Sequence, residues 1–189
     1  LRSDKFRICT VGRIVKGKGI FDLINAFILF EQEHKGSLEL LIIGGNIDQD
    51  IDPLGQEVHD VLTKSEYDGK IKITGMTDLV ERYLQVSDMF VLPSYREGMP
   101  RSLLEAMSVE LPVLASNVRG ARELVTNEFG ILFEPRDIEG IRRGIEAIWD
   151  LTPQQREVMG LAGRNIVLTE FNEKMYVSRQ REAINGLLS

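Results

Sequence analysis

The chain has 189 residues, 43% of them hydrophobic and 28% charged, with a formal net charge of −6. That is an ordinary globular composition, long enough to close one core without disulfides or a structural metal. The acidic balance argues against a duplex-nucleic-acid binder, so any anion must be held by a local cluster rather than by the field of the whole molecule. No apolar run approaches the roughly 20 residues of a membrane span, and no signal peptide is visible. The start at Leu1 without a methionine suggests an excised domain. Cys9 is the one cysteine; it lies in an apolar run and reads as a buried small hydrophobe rather than a reactive thiol.

In chain order, short β-rich runs alternate with longer amphipathic stretches. Phe6–Val11 reads as a strand, 21–33 as a helix, and Leu38–Ile43 as a buried strand ending in Gly44-Gly45. Residues 58–62 fall in a helix and 71–74 in a short strand. Residues 79–85 form a helix opened by Thr77 or Asp78, and Met89–Leu92 is a strand stopped by Pro93. A helix over 101–109 has Pro100 near its first turn. Then come a strand at 113–115, helix at 121–126, a strand at 131–133 and the helix Ile138–Trp149 opened by Asp137. Two helices, 153–169 and 173–188, close the chain. This alternation predicts an α/β fold, a mostly parallel sheet with helices on both faces and ligands at the carboxyl ends of its strands.

Two loops at those ends carry chemistry. After the first strand, Gly12-Arg13 and Gly17-Lys18-Gly19 join glycines to two cations ahead of a helix start, which suits a phosphate. It is not a Walker loop, because Gly19 stands where Ser or Thr would follow the lysine. After the fourth strand, Glu97 lies in a loop and Glu105 more than a turn into the next helix. The amides of Arg101, Ser102 and Leu103 are counted among the unpaired donors of that helix start. A carboxylate can accept two hydrogen bonds and so matches vicinal sugar hydroxyls.

Glu97 and Glu105 reproduce an E-x7-E motif, flanked by Pro93-Ser94, Glu97-Gly98-Met99-Pro100 and Leu104-Glu105-Ala106-Met107. Together with Val11-Gly12-Arg13, Lys18-Gly19, Ser87-Asp88-Met89-Phe90-Val91, Pro112-Val113, Gly120-x-x-Glu123 and Gly130-Ile131-Leu132, they resemble the retaining GT-B glycosyltransferases of group 1 (family 4-like). The resemblance runs from about residue 5 to 150 in order and spacing. It implies a Rossmann-like domain over 1–170, the carboxyl-terminal donor half of a two-domain enzyme, followed over 171–189 by a helix crossing to a missing amino-terminal, acceptor-binding domain. It implies a nucleoside diphosphate sugar as donor and no metal cofactor. Catalytic roles fall to Arg13 and Lys18 on the diphosphate and to Glu97 on the donor sugar. Glu105 would take the ribose, while Gly12, Gly98, Met99, Arg101, Ser102 and Leu103 contact the donor and Gly75 lies in the loop against the base. The parent is expected in the cytoplasm, with membrane association at the inner face allowed, and in polysaccharide biosynthesis; no nucleic acid is expected as a partner.

Two departures from the family pattern stand out. Glu110 replaces the glycine that would serve a left-handed helix end, and Arg119 replaces the first of a frequent glycine pair. Asp48-Gln49-Asp50 spells a D-x-D metal signature, but Asp52 follows, and an acidic solvated loop is the simpler reading. His34 and His59 lack neighbours at ligand spacing. Trp149 reads as core, and Arg142-Arg143 with Glu139 and Glu146 as a salt-bridged face. The competing functions are a non-catalytic sugar-nucleotide-binding or partner-docking module and a metal-dependent transferase using Asp48 and Asp50.

Overall fold

Six of the apolar runs become six strands of one sheet. The computed structural model describes residues 5–45, 58, 60, 61, 67 and 69–171. Its elements are β1 (Phe6–Val11), α1 (Ile20–Glu33), β2 (Leu38–Ile43), β3 (Ile71–Ile73), α2 (Val80–Gln85), β4 (Met89–Leu92), α3 (Arg101–Ser108), β5 (Val113–Ser116), α4 (Arg119–Arg122), β6 (Gly130–Phe133), α5 (Ile138–Trp149) and α6 (Pro153–Glu170). The strand order is β3-β2-β1-β4-β5-β6, and every pairing is parallel. The order reverses between β1 and β4, so the crevice above their carboxyl ends is the topological switch point of a Rossmann-like sheet.

Burial explains why these runs are strands. Every residue of β2, β4 and β5 is buried, as expected for strands covered on both faces. Helix α1 lays Leu23, Ile24, Phe27 and Phe30 into the core, and α5 adds Ile141, Ile145 and Ile148. These two helices pack side by side, while α3 packs against α2 and α6; right-handed crossovers in opposite directions from the centre put α1 and α3 on opposite faces. The buried carboxylate of Glu39 in β2 is held by Arg7 of β1 at 2.9 Å. Burial pushes its pKa up, but the Arg7 hydrogen bond and the Lys72 charge outweigh that and hold it below the usual carboxylate value. Cys9 is fully buried, and burial pushes its thiol up to about 12, which is the inert small hydrophobe expected.

Several boundaries differ from the sequence reading. A 3-10 turn at Lys16–Lys18 precedes α1, and its last amides bond back within the turn. Strand β3 stops at Ile73, because Thr74 turns its hydroxyl to the Gly75 carbonyl and accepts from the Gly44 amide. The N-cap of α2 is Leu79 and not Thr77 or Asp78; the Thr77 hydroxyl instead accepts the Leu79 amide at 3.1 Å. Pro100 is the N-cap of α3, which ends at Ser108. Helix α4 runs over 119–122 rather than 121–126, because Val118 opens it and the chain turns at Ala121. Strands β5 and β6 each gain one residue, and α6 reaches Glu170. Positions 58, 60 and 61 are helical as expected. His59, the Asp48–Asp50 loop and the 173–188 helix lie outside the described residues.

Candidate active site

The two glycine-bearing loops meet at the switch point. Gly19 has φ 64° and caps α1, and a β-carbon there would fall 2.0 Å from the Pro93 carbonyl oxygen. Only a bare α-carbon lets the Lys18 loop reach the loop that follows β4. The Tyr95 amide donates to the Gly17 carbonyl at 2.9 Å, closing the same contact from the other side. The result brings two sequence-predicted residues together across 79 positions: Lys18 Nζ lies 2.7 Å from Glu97 Oε1. The Glu97 side chain is only 12% exposed, so the pair sits in a recess rather than in open water.

A second close approach fixes the back of Glu97. The Gly120 amide donates to the Glu97 carbonyl at 3.2 Å, and a β-carbon on Gly120 would fall 2.1 Å from the Gly98 carbonyl oxygen. The start of α4 therefore rests directly on the motif backbone. Between these loops lies a cavity of about 520 Å³ lined by Tyr95, Arg96, Glu97, Gly98, Val118 and Arg119. Arg119 is 86% exposed and pairs with Glu123 at 3.3 Å, so it stands at the mouth of the cavity, not in its floor. Arg13, Lys16, Arg96, Arg101 and Arg119 are all exposed on the segments that follow β1, β4 and β5. That cationic rim supplies the local cluster which the acidic chain as a whole cannot.

Of the remaining predicted residues, only Gly98 lines this cavity. Gly12 donates its amide to the Ile43 carbonyl at 3.0 Å, and Gly75 bridges to Gly44, so the loops after β1, β2 and β3 form one seam of backbone. Met99 is 59% exposed at the start of the motif helix. Arg101 and Ser102 stand at that helix start, where Pro100 provides no side-chain cap. Leu103 departs from expectation. Its amide is taken by the Pro100 carbonyl at 3.1 Å and its side chain is buried, so it is not an unpaired donor. Glu105 is exposed beside a second hollow of about 390 Å³, shared with Val80, Glu81 and Leu84 of α2.

One unit was not legible as a site. The Tyr95 hydroxyl donates to Asp22 Oδ2 at 2.7 Å, and the Arg136 guanidinium lies 4.5 Å from the Tyr95 ring centre. Burial, with the Asp22 carboxylate, pushes the phenol up to about 12, so it stays a donor. Arg136 itself holds a left-handed φ of 69°. Asp22 in α1, Tyr95 after β4 and Arg136 after β6 thus tie one helix to two loops. Tyr95's place two residues before Glu97, and Arg136's place just beyond a strand's carboxyl end, are the signals in the sequence that a search for it would start from.

A larger cleft, about 890 Å³, opens at the opposite end of the sheet, where the strands begin. Its arginines are held by protein partners: Arg7 by Glu39 and the Val86 carbonyl, Arg156 by the carbonyls of Ile148, Trp149 and Leu151. It lacks the convergent groups of the switch-point recess. Glu33, His34 and Glu146 also come within 4.8 Å of one another. Arg142 already donates to both of those carboxylates and to Glu139, and its pKa rises on the Glu139 hydrogen bond. This is the salt-bridged face expected. His34 is half-buried at the end of α1, its ring stacked on Phe30 at 4.4 Å and tilted against Trp149 at 5.0 Å.

Comparison with known proteins agrees with this geometry. Residues 1–166 match the family described as glycosyl transferases group 1. The chain is 34% identical over 191 aligned positions to the capsular polysaccharide biosynthesis glycosyltransferase CapM of Staphylococcus aureus, covering all of this chain and 48% of CapM. Anabaena HepE, solved in complex with UDP-glucose, superposes with a TM-score of 0.85 at 20% identity, over 97% of this chain and 49% of that one. The carboxyl-terminal domain of the group 1 protein LpcC from Francisella tularensis superposes with a TM-score of 0.80 at 23% identity, over 91% of this chain and 89% of that one. The chain spans about half the length of the curated relatives it matches over its full length.

Proposed function

We propose that this chain, which belongs to the glycosyl transferase group 1 family, is the donor-binding domain of a retaining glycosyltransferase whose acceptor-binding half lies elsewhere in the parent protein. The Lys18–Glu97 contact at 2.7 Å carries the reading. It places a phosphate-type cation and a hydroxyl-type acceptor side by side in a recess at the switch point, which is the pair of chemistries a nucleoside diphosphate sugar presents. In the reaction, the bond from the anomeric carbon to the diphosphate oxygen breaks and its electron pair stays with the phosphate. The acceptor oxygen forms the new bond on the same face, and its proton passes to the departing phosphate. Lys18 leaves Glu97 for the diphosphate, where it and Arg13 stabilise the growing negative charge. Glu97, released, accepts from the sugar hydroxyls. Arg101 and Ser102 supply amides to the phosphate at the α3 start, and Glu105 takes the ribose. No step is assigned to a metal.

Calorimetric titration of the chain with UDP, GDP and ADP, in EDTA and in Mg²⁺, tests this. One nucleotide binds in EDTA, and Arg13→Ala and Glu105→Ala each weaken it about tenfold to a hundredfold, the loss of one charge-assisted contact of about 1.5–3 kcal/mol. Binding that needs Mg²⁺, or that survives both substitutions, sinks the reading. Turnover by the full-length parent that is lost in Glu97→Ala separates a catalytic domain from a docking module.

A further inference from the structure

Helix α6 is apolar on two opposite sides, and its own domain covers one of them. Inward, Met159 is buried, the Gly160 backbone lies on the Glu110 carbonyl, and Gly163 faces Phe129 and Met107. Arg164 pairs with Glu110 at 2.8 Å and pins that side down. Outward, Val158, Leu161 and Leu168 are 68%, 42% and 54% exposed, with exposed Asn165 among them. The spacings of three, four and three residues set these four side chains on one seam.

The chemistry of the seam says what fits it. Read as heptad positions, Val158 and Asn165 stand at a, and Leu161 and Leu168 at d. A β-branched residue at a, leucine at d and a single asparagine at a is the pattern that selects two parallel helices in register. We propose that this face takes a second copy of the chain, α6 against α6, about a two-fold axis running along the seam. Only the parallel register satisfies Asn165, which then meets the same residue of the other copy, amide to amide. An antiparallel pair would set it against Leu161 and bury it without a partner. The flanks agree: Glu157 falls opposite Ala162 and Arg164 opposite Thr169, so no like charges face each other across the axis. The helix is also preformed. Thr152 and Gln155 close a capping box at its start, so pairing orders little new structure. Two heptads make a weak, concentration-dependent pair, and the inference stands independently of nucleotide binding.

Sedimentation equilibrium of the intact 189-residue chain, run up to millimolar concentration, tests it. The apparent mass rises from 21.4 kDa toward twice that value. Leu161→Glu holds it at the monomer with thermal unfolding unchanged, and Asn165→Val tightens the pair about tenfold or more, since the buried asparagine trades stability for register. Mild oxidation of Leu161→Cys links position 161 to itself, while buried Cys9 does not compete. A chain that stays monomeric throughout, as it would if residues 172–189 occupied the seam, overturns the proposal. So does a dimer that Leu161→Glu leaves intact, or one in which position 161 fails to link to itself.

Discussion

Glu110 shows how a single residue can sit against its backbone and be held there. It adopts φ 65°, a left-handed conformation that favours glycine, and its carboxylate is tied to Arg164 at 2.8 Å. The sequence raised this position as a glycine replaced, and the chain keeps the left-handed turn rather than changing it. Relief of that strain is worth about 1 kcal/mol, against about 0.2–1 kcal/mol for a surface ion pair. Glu110→Gly made in an Arg164→Ala background therefore raises the denaturant midpoint, by about 1 kcal/mol of stability with the slope unchanged. In the native background the gain is smaller, because the ion pair is lost with it. Midpoints that fall in both backgrounds contradict this account. Gly19 is the reverse case, where the bare α-carbon is demanded by the Pro93 carbonyl and not by the turn alone.

At the scale of elements, α6 has a start closed by a full capping box. Thr152 accepts the Gln155 amide at 3.2 Å, the Gln155 side chain accepts the Thr152 amide at 2.8 Å, and Pro153 occupies the first turn. Replacing Thr152 by alanine removes one half of this box and costs about 1 kcal/mol. Thermal unfolding should then shift down by about 2–4 °C for a domain of this size. An unchanged midpoint would mean that packing on α3 alone holds the first turn. Boundaries elsewhere were less legible for a local reason: α2 and α4 are only 6 and 4 residues long. So short a helix carries too little periodic pattern, and its ends are set by the neighbouring loops.

For the molecule as a whole, one side of the sheet couples stability to pH. Glu39 joins β1, β2 and β3 through Arg7 and Lys72, and its folded pKa lies below the ordinary value. A depressed carboxylate contributes stability that is fully present above its unfolded pKa, about 4.3, and is lost as pH falls through the lower folded value. Glu39→Gln therefore lowers stability at neutral pH and flattens the part of the acid limb just below the ordinary carboxylate range. Acid unfolding curves of the two proteins check this, and parallel limbs would contradict it. The same scale decides the electrostatics of the site, where loops from distant segments gather cations on an acidic chain with a net charge of −6.

The sequence by itself determined the fold class, the order of elements and the two loops that meet at the candidate site. Those properties follow from local periodicity and from residue types fixed in a short motif, such as Glu97 and Glu105 eight positions apart. Only the tertiary structure decided that Lys18 grips Glu97, that Leu103 gives its amide to Pro100, and that Asp22, Tyr95 and Arg136 tie α1 to the loops after β4 and β6. The first and the last of these join distant segments whose approach depends on strand order and, for Lys18, on the bare backbone of Gly19, while the Leu103 bond closes within the helix start. A linear pattern does not encode such distances; they appear once the crossovers have placed the carboxyl ends of β1, β4 and β5 side by side.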